Sequence, residues 1–218
     1  MAIILKNNKY DLSIDSNTII GVMGNNYDKF LSSLASRDIY YLDKKVSVSN
    51  KKVYSLLNID DGKTSKVLKE YKIDDEFLNK RIKHLSHSEQ KLLKYILLVI
   101  SDKKVNVIDE PFMDLDYSNK KKVVLLINKL IKEKKTVIIG SVNSNIIYSL
   151  CKKVLFINEN DTYYGKIDSF QNQDLLKKYH IEIPDLVKFV SLAKDKKIKL
   201  KYTYDIRDLI KDVYRNVS

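Results

Sequence analysis

Short apolar runs and amphipathic stretches alternate along most of this chain. Between the apolar runs, residues at helical spacing predict helices after Gly24, at 117–133 and at 145–151. This alternation through residue 160 predicts a mostly parallel sheet flanked by helices. The predicted strands occupy residues 2–14 as a pair with a turn at Asn7 and Asn8, then 18–23, 39–42, 52–57, 105–109, 136–140 and 154–158, with an edge strand at 162–164.

Two further stretches are purely helical in pattern. Residues 60–83 are polar with apolar positions at helix spacing, and from Ile167 onwards the pattern is helical but broken by Pro184. Between 85 and 101 the chain reads LSHSEQKLLKYILLVIS, in which Ser86 and Glu89 predict a capping box. A capped helix start either binds an anion or merely closes the helix. The stripe that predicts a buried helix of about four turns consists of Leu92, Leu93, Ile96, Leu97 and Ile100.

Residues 105–116 read VNVIDEPFMDLD, a buried strand that ends in two adjacent carboxylates. Open α/β sheets bind ligands at the carboxyl ends of their strands, so these two charges stand where a ligand is expected. Asp109 could hold Mg²⁺ through water, and Glu110 could orient or deprotonate an attacking water molecule. The alternative is a strand followed by an acidic turn without catalytic function.

The segment GNNYDKF, residues 24–30, follows a predicted strand and precedes a helix, as a phosphate-binding loop does. It departs from the GxxxxGK[ST] pattern. With a one-residue deletion, Lys29 takes the place of the phosphate-binding lysine, Asp28 that of the second glycine and Phe30 that of the Mg²⁺-binding hydroxyl. Without a gap, Phe30 takes the place of the lysine and Ser32 lies near the hydroxyl. A plain strand-to-helix turn is the third interpretation.

Composition narrows the classes of function. The chain has 218 residues and contains no apolar run of about 18 residues or signal-peptide pattern, so we expect a cytoplasmic protein. Its one cysteine excludes an intrachain disulfide. The net charge of +12 comes from 36 Lys and 4 Arg spread along the chain, so we expect no dedicated nucleic-acid surface.

Taken in order, these motifs resemble those of the ATP-binding cassette (ABC) ATPases. LSHSEQ resembles the family's LSGGEQ signature, and VNVIDEPFMDLD resembles its hhhhDEPxxxLD run. The resemblance implies an α/β fold of the P-loop NTPase type, with a reduced helical subdomain at 58–101 inside an ATP-binding domain at 1–166. It also implies ATP and Mg²⁺ as ligands, bound in composite sites that two subunits share.

Matched residue by residue, the resemblance makes Asp109 the Mg²⁺ ligand, through water, and Glu110 the catalytic residue. It assigns nucleotide binding to Gly24, Asn25, Asn26, Lys29, Asn58, Ser86 and Asp116. Other positions depart from the family pattern. His87 and Ser88 replace the two signature glycines, and Val142 stands where the family has its switch histidine. These departures predict weak or absent hydrolysis.

The tail, residues 167–218, resembles the C-terminal helical dimerisation region of the ATPases of energy-coupling factor (ECF) transporters. The resemblance implies a second ABC ATPase subunit, identical or different, and an integral membrane component as partners, with vitamin or metal uptake as the process and the inner face of the cell membrane as the location. Two other hypotheses remain open: a non-catalytic interaction protein, used for assembly or for nucleic-acid binding by its basic surface, and a fully active ATPase with unusual motifs.

Overall fold

The computed structural model describes residues 2–6, 11–42, 50–57, 62–159 and 161–217. Eight strands and nine α-helices are present in these residues. The strands are β1 (Ala2–Lys6), β2 (Asp11–Asp15), β3 (Ile19–Gly24), β4 (Ile39–Leu42), β5 (Val105–Asp109), β6 (Thr136–Gly140), β7 (Lys153–Ile157) and β8 (Thr162–Lys166). The helices are α1 (Tyr27–Ser33), α2 (Gly62–Glu70), α3 (Asp75–Asn79), α4 (His87–Ile100), α5 (Tyr117–Lys132), α6 (Ser144–Leu150), α7 (Gln173–Lys178), α8 (Asp185–Asp195) and α9 (Ile206–Val217).

The chain divides into two compact units. The first consists of Met1–Asn17 and Leu31–Ile138, and the second of Thr18–Phe30 and Ile139–Ser218. In the first unit β1 pairs antiparallel with β2, and β4 pairs parallel with β5. In the second unit β7 lies between β3 and β8, parallel to β3 and antiparallel to β8. The α/β class and the parallel pairing predicted from the sequence are therefore confirmed.

Helix α4 is the most buried helix of the first unit. Of the apolar stripe predicted for it, Leu92, Leu93 and Ile96 are almost fully buried, whereas Leu97 and Ile100 are only partly buried. The burial extends further around the helix than the stripe, because Lys91 and Tyr95 are also buried. A helix that is buried on most sides needs partners for its polar groups, and this need governs the site described below.

One predicted strand is wrong. Residues 52–57 form a 3₁₀ helix at Val53–Leu56 instead. Among the described residues, strand pairing of this segment is limited to an isolated bridge between Lys52 and Arg81, beside which Val53 N–H donates to the Lys80 carbonyl oxygen. The Ser55 hydroxyl then donates to the Lys52 carbonyl oxygen, 2.7 Å away, and this local bond favours a turn over continued pairing.

Close packing around β3 marks the second unit. A Cβ on Gly21 would lie 2.2 Å from a methyl carbon of Ile147 and 3.2 Å from the sulfur of Cys151, so only glycine fits between this strand and α6. Cys151 is buried, and burial raises the pKa of its thiol. The thiol therefore belongs to the packed interior of this unit.

The tail is helical, as predicted. Helices α8 and α9 pack through a cluster that includes Val190, Ala193, Leu200 and Leu209. On the outside, the packing leaves apolar side chains exposed at Phe189, Leu192, Ile206, Ile210 and Tyr214. We call these five residues the tail stripe. Among the described residues, no helix is long and apolar enough to span a membrane.

Candidate functional site

The carboxyl end of β5 carries the two predicted carboxylates. Every residue of β5 is buried, and Asp109 is only 2 % exposed. Glu110 follows in the left-handed region, with φ +46°, and its side chain is partly exposed. A residue other than glycine rarely adopts this backbone conformation unless its surroundings fix it. The geometry therefore puts one carboxylate in the interior and turns the next towards the surface.

The start of α4 is capped as predicted. Ser86 Oγ accepts a hydrogen bond from Glu89 N–H, and the Glu89 carboxylate accepts one from Ser86 N–H, 2.8 Å away. Burial alone would raise the pKa of Glu89, but the Ser86 N–H group and the Lys80 ammonium lower it below its ordinary value. Because the Ser86 hydroxyl closes the helix, the cap alone accounts for the serine at this position.

Two segments that the resemblance assigns to nucleotide binding are bonded to each other. The Ser88 hydroxyl donates to the Asp116 carboxylate at 2.6 Å and accepts from Asn119 Nδ2 at 2.9 Å. The same carboxylate caps α5 by accepting from Asn119 N–H, 2.8 Å away. The Ser88 hydroxyl and Asn119 thus hold the pKa of Asp116 below its ordinary value. No sequence pattern predicts this bond, which requires the hydroxyl of Ser88.

The phosphate-loop candidate is a short turn. Strand β3 ends at Gly24 and α1 begins at Tyr27, so only Asn25 and Asn26 lie between them. In the GxxxxGK[ST] pattern, four residues separate the first glycine from the second, and their N–H groups surround the phosphate. Lys29 lies in the first turn of the seven-residue α1 with its side chain exposed. This geometry favours the interpretation of a plain strand-to-helix turn.

Gly24 has a packing reason to be glycine. Its φ of +110° is accessible to glycine, and a Cβ there would lie 2.0 Å from the Ile157 carbonyl oxygen. The glycine thus lets β3 approach β7 closely, whether or not it also faces a phosphate. Asn58 lies outside the described residues. Val142, in place of a switch histidine, is 75 % exposed.

The described residues could bind a magnesium ion only together with a nucleotide that supplies further ligands. Among the described residues there is no group of three or more His, Cys, Asp and Glu side chains that could hold a metal. Mg²⁺ commonly takes one or two protein carboxylates and completes its six ligands with phosphate oxygens and water. Asp109 could supply the carboxylate, so Mg²⁺ fits here as the partner of a nucleotide.

Two curated relatives of this chain are named as ATP-binding proteins of transporters. No family model matches the chain. It is 30 % identical over 145 residues to an uncharacterised ABC transporter ATP-binding protein of Methanocaldococcus jannaschii, covering 61 % of this chain and 54 % of that protein. It is 23 % identical over 189 residues to an energy-coupling factor transporter ATP-binding protein of Mycoplasma mobile, covering 86 % of this chain and 59 % of that protein. The chain thus spans somewhat more than half the length of these relatives.

Solved structures of ABC transporter proteins have a fold similar to that of this chain. An ABC transporter in an inward-facing conformation matches with a TM-score of 0.64 at 16 % identity, covering 78 % of this chain and 80 % of that chain. An ATP-binding subunit of an ABC transporter matches with a TM-score of 0.63 at 12 % identity, covering 76 % of this chain and 85 % of that chain. At these identities the likeness establishes the fold.

Proposed function

We propose that this chain, which has the fold of the ABC-type ATPases, is an ATP-binding subunit of a membrane transporter that hydrolyses ATP slowly. The observation that carries the proposal is the end of β5, where a fully buried strand delivers Asp109 and Glu110 in sequence. In this proposal Asp109 holds Mg²⁺ through water, and Glu110 orients the attacking water molecule. Bound Mg²⁺ would neutralise charge on the phosphates of the nucleotide.

Three local features support slow turnover. The turn of Asn25 and Asn26 offers fewer N–H groups than a full phosphate loop, and the exposed Lys29 is the one basic side chain in it or in the first turn of α1. The Ser88 hydroxyl is committed to Asp116. Val142 cannot sense a phosphate as a histidine does. Each contact that no longer stabilises the transition state slows hydrolysis, by about a factor of ten for every 1.36 kcal/mol of stabilisation lost.

The tail supports a role in an assembly. The tail stripe includes Ile206, Ile210 and Tyr214, spaced four residues apart on one face of α9 and all exposed. Apolar side chains grouped on one helix face favour association with another protein. We propose a second ABC ATPase subunit, identical or different, as the occupant of this face, with a membrane component completing the transporter.

The relation to ECF transporters gives the finer proposal. Two relatives are named as energy-coupling factor transporter ATP-binding proteins, one of Mycoplasma mobile and one of Oenococcus oeni, the latter 22 % identical over 171 residues. We propose that this chain serves a transporter of the same kind, at the inner face of the cell membrane and for a vitamin or a metal ion. In such an assembly, closure of the ATPase pair on nucleotide would drive the membrane component.

Nucleotide binding is the first property to test, by thermal unfolding of the purified chain with and without millimolar MgATP. Ligand at about 100 times its dissociation constant stabilises by about 2.7 kcal/mol, roughly a 5–10 °C rise in midpoint for a chain of this size. The rise should shrink in Asp109→Asn and persist in Asp114→Asn, an exposed aspartate of the same segment. Equal midpoints for the wild type with and without MgATP would refute the proposal and favour a non-catalytic interaction protein.

A further inference from the structure

Two side chains of α4 hold the backbone of the segment that carries the carboxylates. Lys91 Nζ lies 3.3 Å from the Asp109 carbonyl oxygen and 3.2 Å from the Glu110 carbonyl oxygen. One helical turn further on, Tyr95 Oη donates to the Pro111 carbonyl oxygen at 2.8 Å. Three consecutive carbonyl groups are thus held by one face of a single helix.

Both side chains reach these carbonyl groups from the interior. Lys91 and Tyr95 are each 0 % exposed. Removing an ammonium group from water is unfavourable unless it is paired, so the Lys91 ammonium needs these carbonyl groups as hydrogen-bond partners. Burial lowers the pKa of Lys91, and the neighbouring Lys94 lowers it further, whereas the carboxylates of Asp109, Asp114 and Glu110 oppose that shift.

The backbone that Lys91 and Tyr95 contact includes the unusual left-handed conformation of Glu110. Glu110 has φ +46°, a conformation that is unfavourable for a residue with a side chain and persists only where the surroundings fix it. Met113 N–H donates to the Glu110 carbonyl oxygen as well, at 3.3 Å, and closes the turn. The direction of the Glu110 side chain therefore depends on the carbonyl groups that Lys91 and Tyr95 hold.

We propose that Lys91 and Tyr95 are positioning residues for Glu110. They fix the left-handed turn after β5 and so aim the Glu110 carboxylate at its water molecule. The inference rests on the proposed function, because it assigns Glu110 the catalytic step. It adds that the helix carrying the signature segment at its start also sets the geometry of the catalytic carboxylate, so that a displacement of α4 changes both.

The test separates nucleotide binding from phosphate release. Wild type, Lys91→Met and Tyr95→Phe are compared at saturating MgATP by a sensitive phosphate-release assay, and MgATP affinity is measured by titration. Glu110→Gln defines the rate without the catalytic carboxylate. We expect Lys91→Met to lower the release rate about tenfold or more, towards that of Glu110→Gln, with affinity changed less than about threefold. Tyr95→Phe should shift the rate in the same direction by less.

Matched controls exclude a general loss of stability. Lys135→Met removes another buried lysine, which binds Asp102 and Glu133 instead of the turn. Tyr148→Phe removes a buried hydroxyl that has no hydrogen-bond partner among the described residues. Both controls should keep the wild-type release rate.

Each result is decisive. If Lys91→Met and Tyr95→Phe release phosphate at the wild-type rate, or the controls fall as far as they do, the positioning role is refuted while nucleotide binding stands. If Glu110→Gln releases phosphate as fast as the wild type, no catalytic carboxylate exists to be positioned and the inference is refuted. A wild type that binds no MgATP refutes the proposed function itself, and this inference with it.

Discussion

Ser88 Oγ lies 2.6 Å from Asp116 Oδ2, so the residue that stands where the LSGGEQ pattern has its second glycine is hydrogen-bonded directly to the aspartate that caps α5. Asp116 N–H also donates to the Ser88 hydroxyl, at 3.2 Å. The bond joins the start of α4 to the start of α5 within the first unit. A glycine at position 88 could not form it. This link therefore depends on one of the two side chains that distinguish LSHSEQ from LSGGEQ.

Asp116 should stabilise the fold in a pH-dependent way. The Ser88 hydroxyl and Asn119 hold the pKa of Asp116 below its ordinary value of 3.8. Its ionised form therefore contributes stability above the unfolded-state pKa, and this contribution is lost as pH falls through the folded-state pKa. Asp116→Asn keeps a capping oxygen but no charge. In urea unfolding, the free energy of unfolding of Asp116→Asn should be lower than that of the wild type at about pH 7, and the difference should vanish well below pH 3.8. A deficit independent of pH would contradict the assignment.

Glycine at position 88 should lower the free energy of unfolding. Ser88→Gly removes the hydroxyl, at a cost of about 1 kcal/mol for the hydrogen bond, and adds a further cost of about 0.5–1 kcal/mol for glycine in a helix. Ser88→Ala removes the hydroxyl alone. In urea unfolding, the free energy of unfolding should therefore be highest for the wild type, lower for Ser88→Ala and lowest for Ser88→Gly. If Ser88→Gly were as stable as the wild type, the hydrogen bond to Asp116 would not stabilise the fold.

Gly24 should tolerate no side chain. In Gly24→Ala the new Cβ would collide with the Ile157 carbonyl oxygen, and the backbone would keep an unfavourable positive φ. We expect a loss of about 3 kcal/mol or more in the free energy of unfolding. Gly62→Ala is the matched control, because a Cβ at Gly62 meets nothing within 4 Å, so it should be neutral or slightly stabilising. Comparable stability of the two variants would refute the close approach of β3 and β7.

Pairing through the tail should depend on the tail stripe. Ile210 is 48 % exposed, whereas the adjacent Leu209 is 3 % exposed and packs against α8. Ile210→Ser should weaken self-association in sedimentation experiments with little change in the unfolding midpoint. Leu209→Ala should lower stability by about 2–5 kcal/mol, because it removes buried methyl groups. If the wild type stays monomeric at high concentration, the partner is a different subunit.

The elements with a clear local signal were predicted from the sequence. Helix α4 follows from its apolar periodicity and its Ser86 cap, and strand β5 follows from its short apolar run that ends at Asp109. The turn after Gly24 has no such pattern. Three alternatives fit its residues, and only the structure shows that the connection to Tyr27 is short.

Burial of polar groups could not be predicted from the pattern. Lys91 lies one residue outside the apolar stripe, where a lysine is normally solvated, yet its ammonium reaches two carbonyl groups in the interior. The strand predicted around Val53 failed for a different reason. Val53 and Tyr54 are residue types that favour a strand, but strand pairing here is limited to one bridge, between Lys52 and Arg81, before the chain turns.

Cys151 gives the chain an internal reporter of opening. It is the one cysteine of the sequence, it is buried against β3, and burial raises the pKa of its thiol, so reactive thiolate is scarce in the folded state. A thiol reagent can modify it only when the second unit opens. The labelling rate therefore measures the opening of the unit that contains Gly24 and Lys29, without any introduced probe, and a nucleotide bound there would slow it.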